Sequence, residues 1–194
     1  FDVSGKSFVL GEKLNQLLKS KEPFYNKVWF VASFAKRSGI SKLKTAVKKA
    51  INNGAQVNFI LGVNNKLTTV EALKEILSLN CNAKLFIGSS GNNMGVKLYC
   101  FESEHYRADV FVSSGNITEG GLYRNNELIV HVTYDLINGD EELYREFKLS
   151  MSKLLNPSED YSSNLTEELI FTLINNGEIS NEVEGKPSRR KKVK

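Results

Sequence analysis

"KVWFVASFAKRSGISKLKTAVKKAINNGAQVNFILGV", residues 27–63, decides the fold class. Residues 27–35 are rich in Val, Phe and Trp, side chains that suit a pleated, buried strand. After "KRSG", Ile40, Leu43, Val47 and Ile51 recur at steps of three and four, which sets them on one helical face. Gly54 offers that helix a stop, because glycine enters the left-handed conformation of a C-terminus without steric cost. "AQVNFILGV", residues 55–63, reads as a second buried strand. Strand, helix and strand in this order predict a β-α-β unit with parallel strands and a right-handed crossover.

Outward from this unit the pattern continues. "GEKLNQLLKSK" (11–21) carries Leu14, Leu17 and Leu18 at helical spacing. "TTVEALKEILSLN" (68–80) predicts a second crossover helix with Thr68 or Thr69 as its N-cap, and "AKLFIG" (83–88) a third strand. "VKLYCF" (96–101) and "RADVFV" (107–112) flank "ESEHY" as a hairpin, and "NELIVHVTY" (126–134) follows as a strand with one alternating face. "GDEELYREFKLSMSKLL" (139–155) reads as one amphipathic helix with acids in its first turn. "NPSEDYSSN" (156–164) reads as a loop and "LTEELIFTLINNG" (165–177) as a last helix. There is no internal repeat. The expected fold is α/β, a mixed β-sheet of six or seven strands with helices on both faces.

Composition narrows the function. The chain has 194 residues, 41% hydrophobic and 25% charged, which suits one globular domain with a sizeable core. No apolar run reaches the roughly 18 residues needed to span a bilayer, so no membrane role is expected. No signal peptide is visible, and the first residue is Phe1, which suggests a trimmed chain or a fragment. Cys81 and Cys100 are too few for a disulfide scaffold or a Cys-rich zinc site, and are expected as reduced, partly buried thiols of a cytoplasmic protein. His105 and His131 lie far apart, outside any HExxH spacing, which argues against a His-ligated metal hydrolase. No metal and no cofactor are expected.

Charge is distributed unevenly. "GKPSRRKKVK" (185–194) holds six of the 26 Lys and Arg, whereas residues 1–184 hold 20 bases against 22 acids. The tail reads either as a phosphate-contacting arm or linker into a DNA-binding domain, or as a solvated end.

"VSSGNITEGGLYRNNELIV" (112–130) carries the chemistry. Here an expected strand breaks into Ser113, Ser114, Gly115 and Asn116, and re-enters a strand through Glu127. With the hairpin turning at 102–106, Lys97 pairs roughly with residues 111–113 and comes close to this corner. A cation, hydroxyls, an amide and a carboxylate at one sheet end suit a phosphodiester, whose non-bridging oxygens gather negative charge in the transition state. Each residue also has a plain reading: Lys97 as a strand-edge lysine, Ser114 and Asn116 as a turn, Glu127 as a surface partner of Arg124. "FIGSSGNN" (86–93) places similar turn residues after another strand, and only context separates the two.

Taken together, Lys97, "SSGN" and "NNE" (Asn125 to Glu127) resemble the phospholipase D-like superfamily, in which His-x-Lys precedes a Gly/Ser-Ser-x-Asn corner and a later acid. They resemble most closely its prokaryotic branch of metal-independent restriction endonucleases, of the BfiI and NgoFVII type, over roughly residues 25–155. The resemblance implies a phospholipase D-like nuclease-type domain over 1–178, with 179–194 as a basic tail or linker. It implies that Lys97 and Asn116 bind phosphoryl oxygens, Ser114 supports them, and Glu127 orients a nucleophilic His that attacks phosphorus and forms a phosphohistidine. A second motif copy, from another half or another protomer, supplies the acid; such proteins are usually homodimers with the site at the interface, so a homodimer is implied, acting on DNA without metal.

The sequence departs from the family pattern at the nucleophile. Two residues before Lys97 stands Gly95, in "Met94-Gly95-Val96-Lys97". Neither histidine is an obvious substitute: along extended strands His105 lies ~25 Å from Lys97 and His131 ~13 Å from Glu127. The expected function is therefore a metal-independent endonuclease-type domain of a DNA restriction or defence protein, disarmed as written. The alternative is a non-catalytic phosphate- or DNA-binding or dimerisation module of the same fold. A phospholipase fits less well, since a lipid enzyme should carry two motif copies in a longer chain.

Overall fold

The computed structural model describes residues 8–87, 94–159 and 161–182. "GSSGNN" of the second glycine-serine string and the basic end of the chain lie outside these residues. Helix α1 (Leu10–Leu18) leads into β1 (Lys27–Ala32), α2 (Arg37–Asn52) and β2 (Gln56–Gly62). β1 and β2 are parallel, with Val28 beside Val57 and Phe30 beside Phe59, as the β-α-β reading requires. Gly54 adopts φ +95° where α2 turns into β2. α3 (Val70–Leu77) is capped by Thr69, whose hydroxyl accepts from the Ala72 amide at 3.4 Å, and leads to β3 (Asn82–Phe86), parallel to β2.

From β4 onward the chain runs antiparallel. β4 (Leu98–Ser103) and β5 (Arg107–Ser113) form the hairpin, and β6 (Ile129–Asp135) pairs with β5. α4 (Glu141–Ser150), α5 (Ser152–Leu155), β7 (Ser162–Asn164) and α6 (Glu167–Asn175) complete the chain. The sheet has seven strands in the order β6-β5-β4-β1-β2-β3-β7.

Helices cover both faces. Phe30, Phe59, Tyr99, Phe101 and Phe111 pack on one side with apolar residues of α1, α2, α3 and α6. Val31, Ile60, Leu98, Cys100 and Val110 pack on the other, against Tyr144 of α4 and Leu155 of α5. Neighbouring residues of β4 thus enter opposite cores, which is why all six of its residues are buried and why it does not alternate.

Two expectations fail locally. The helix predicted over 139–155 is interrupted at Met151, which has φ −94° and ψ 3°, so α4 and α5 are separate. The expected loop 156–164 contains β7, with Ser163 beside Leu85. Its three polar residues carry no hydrophobic alternation, so backbone pairing with β3 alone makes them a strand. At the other limit of the described chain, Ile179 is buried and Ser180 bridges Thr69, so the polypeptide stays on the body through residue 180.

Strand direction positions the site. β1, β2, β3 and β5 end at the sheet edge where β4 and β6 begin. Lys97, residues 113–116, Glu127 and the first residues after β1 therefore share one end of the sheet.

Candidate functional site

The corner begins where β5 runs out. The Ser113 amide donates to the Lys97 carbonyl at 3.1 Å, so Lys97 lies opposite Ser113, the upper limit of the expected range. The Ser114 amide donates to the Leu128 carbonyl at 3.0 Å, which binds the corner to the approach of β6. Glu127 stands two residues before that strand begins rather than opening it.

The turn is built by close backbone contact. A Cβ on Gly115 would stand 2.5 Å from the Gly121 carbonyl oxygen, and one on Gly121 would stand 2.5 Å from that of Asn116. Glycine at both positions lets the 113–116 turn interlock with the short helical turn Gly120–Arg124. The buried Tyr99 hydroxyl donates to the Gly115 carbonyl at 2.9 Å. Burial, with the Glu127 charge adding to it, pushes the Tyr99 phenol far above its ordinary range, so it remains a donor.

Each side chain of the corner then has a defined task. The Ser114 hydroxyl donates to Glu127 Oε2 and accepts from the Leu128 amide at 3.0 Å. Asn125 Nδ2 donates to Glu127 Oε1 at 3.1 Å, so both carboxylate oxygens are held. Arg124 pairs with Glu119 at 3.2 Å, which removes the surface Arg124–Glu127 reading. Asn116 Oδ1 accepts from the Phe34 amide at 3.2 Å, leaving Nδ2 without a partner among the described residues. The Lys97 ammonium donates to the Gly95 carbonyl at 3.0 Å and meets no carboxylate within 4.0 Å among the described residues.

Spare donors are thus an amide on Asn116 and the remaining ammonium hydrogens of Lys97. Two positive or neutral donors beside an oriented carboxylate suit an anion with a protonatable partner. Gly95 is exposed, and a Cβ there would meet nothing within 4 Å among the described residues. The fold accommodates a side chain where the family pattern has its nucleophile.

The histidines lie elsewhere. His105 sits in the hairpin turn with φ +66°. His131 stacks on Phe111, centroids 4.1 Å apart, and its Nε2 lies 2.7 Å from Asp109 Oδ1. Asp109 is fully buried and also accepts from the Tyr25 hydroxyl at 2.6 Å, Arg107 Nε at 2.7 Å and Thr133 Oγ1 at 3.1 Å. Burial alone would push this carboxyl up, but His131, Arg107 and Tyr25 together hold it well below the usual range. His131 is therefore committed to a structural network. Cys100 is buried and Cys81 half-buried, both free, with burial pushing the Cys81 thiol up to about 11.

The structure sets Lys97, Ser114, Asn116 and Glu127 at one end of the sheet, and nothing in the sequence pointed to the groups that support them. Tyr99 read only as part of the expected strand 96–101, and the Phe34 amide has no side-chain signal at all. Among the described residues, no three His, Cys, Asp or Glu side chains converge closely enough to hold a metal ion, and no helix is long and apolar enough to cross a membrane.

No protein-family model matches the sequence. No curated protein matches it either. Solved structures do. A phospholipase D family member, Nuc from Salmonella typhimurium, is similar with a TM-score of 0.55 and 14% identity, over 79% of this chain and 88% of that one. NucT from Helicobacter pylori is similar with a TM-score of 0.50 and 20% identity, over 77% of this chain and 94% of that one. With a seven-stranded mixed sheet covered on both faces, this chain has the α/β phospholipase D-like fold.

Proposed function

We propose that the chain is a metal-independent phosphodiesterase domain of endonuclease type, from a cytoplasmic DNA restriction or defence protein, that holds its phosphodiester but lacks its own nucleophile. The observation that carries this reading is that Lys97, opposite Ser113, stands with Asn116 and the Ser114–Glu127 pair at one end of the sheet, with Gly95 two residues before Lys97. Lys97 and the Asn116 Nδ2 donate to the non-bridging oxygens. Ser114 and Asn125 fix Glu127, the carboxylate that would set the tautomer of an imidazole brought to this corner. Without that imidazole the corner binds and does not cut.

The test is DNA cleavage in excess EDTA by this protein and by Gly95→His. Cleavage by the His variant alone is the expected result. Cleavage by both would assign the nucleophile to another residue. Cleavage by neither, with retained DNA binding, would leave the alternative, a non-catalytic binding module.

The proposal includes a homodimer. Val112, Val130 and Val132 are exposed on the α4 side of β5 and β6, and Leu128, next to Glu127, is 76% exposed. This apolar strip adjoins a corner that needs a group from outside its own chain, so a second copy is its proposed occupant. Val130→Asp is expected to shift the sedimentation coefficient to that of a monomer; a wild type that is already monomeric at micromolar concentration would end the dimer reading.

A further inference from the structure

A cavity of about 720 Å³ opens beside Gly95, between the end of β3, residues 94–96 ahead of β4, and α5 with the chain that follows it. Phe86, Met94, Gly95 and Tyr161 form its apolar wall, and Lys153 and Asn156 stand among its polar groups. Gly95 belongs to both places: it lines this cavity, and its carbonyl receives the Lys97 ammonium at 3.0 Å. Lys97 therefore lies one hydrogen bond from a residue that lines the cavity.

We propose that the cavity receives an unstacked nucleobase adjoining the phosphate at Lys97, which makes single-stranded nucleic acid the preferred ligand. The inference rests on the reading of the corner as a phosphate site. Its size falls within the range of small-ligand pockets, with a mostly apolar wall and few polar groups. Tyr161 is 53% exposed at the rim and offers a ring face, while the Asn156 amide and the Lys153 ammonium can meet the polar edge of a base. A base inside a duplex presents no free face, so occupancy requires a strand whose bases are splayed. A lipid acyl chain suits the site less, since it would bury Lys153 and Asn156 without partners.

The test compares binding of fluorescein-labelled oligothymidylate with that of an abasic oligomer of equal length, which keeps the phosphates and lacks the bases. Tyr161→Ala is expected to weaken oligothymidylate binding about tenfold and leave the abasic oligomer unchanged. Tyr161→Phe restores binding, because the ring is retained and the backbone bonds of Tyr161 to Ile87 and Ser158 do not involve the hydroxyl. Lys97→Ala weakens both probes. If Lys97→Ala weakens both while Tyr161→Ala changes neither, the base pocket is wrong and the phosphate corner survives. If the wild type binds neither oligomer, the corner reading fails and the pocket falls with it. Loss of binding to phosphatidylglycerol vesicles in Tyr161→Ala, with both oligomers unaffected, would overturn the base in favour of a lipid.

Discussion

Two polar clusters face each other along β5, and they are built on opposite principles. Around Asp109, a fully buried carboxylate accepts from Tyr25, Arg107, His131 and Thr133, so charge and hydrogen-bonding capacity are matched within the fold. Around Ser114, the carboxylate of Glu127 is held, but among the described residues Asn116 and Lys97 keep donors to spare at an exposed end of the sheet. A saturated buried network can specify a fold and has nothing left for a ligand. A corner with oriented but unspent donors contributes less to folding and is available for binding. The presence of a histidine in the first cluster and its absence from the second therefore does not transfer the chemistry.

The largest way to break this contrast is Asp109→Ala. It leaves the buried Tyr25 hydroxyl and the inner side of Arg107 without an acceptor, and is expected to cost about 3 kcal/mol by urea unfolding. A loss below about 1 kcal/mol would mean that the network is dispensable. The same group predicts a pH dependence. Its folded pKa lies below its unfolded value, near 3.9, so its contribution is complete above about pH 5. That contribution is lost as pH falls through about 4 towards the folded pKa. Stability measured from pH 6 to pH 3 should fall less steeply in Asp109→Asn; equal slopes in both proteins would reassign the acid sensitivity.

Gly121→Ala tests the corner's backbone. The new methyl would stand 2.5 Å from the Asn116 carbonyl oxygen, and overpacking of this kind is expected to cost about 1–3 kcal/mol while weakening DNA binding. Unchanged binding would show that the interlocked turns do not position the amide. The smallest stability effect is expected from Lys97→Ala, within about 0.5 kcal/mol, because the ammonium meets only the Gly95 carbonyl among described residues. Its binding effect should be a weaker affinity for every sequence and a salt slope lower by about 1. A large stability loss with unchanged binding would invert the comparison.

How much was legible follows from what each feature is made of. The β-α-β unit could be read because Ile40, Leu43 and Val47 recur with the helical period and the strands beside them are dense in bulky apolar residues. The hairpin register followed roughly from its turn, which set Lys97 against residues 111–113, and the structure pairs it with Ser113. β7 and the break at Met151 could not be read: one is polar backbone paired with β3, and the other lies inside an unbroken amphipathic pattern.

The sequence by itself determined the α/β class and the identities gathered at the corner, since periodicity and turn chemistry are local properties of the chain. It also determined that Gly95 brings no nucleophile. Only the tertiary structure decided that Glu127 belongs to Ser114 and Asn125 rather than to Arg124, that Asn116 is oriented by the Phe34 amide, and that His131 belongs to Asp109. These pairings join residues from strands and turns that meet only when seven strands take their order in the sheet, and no local pattern encodes which hydrogen-bond partner arrives.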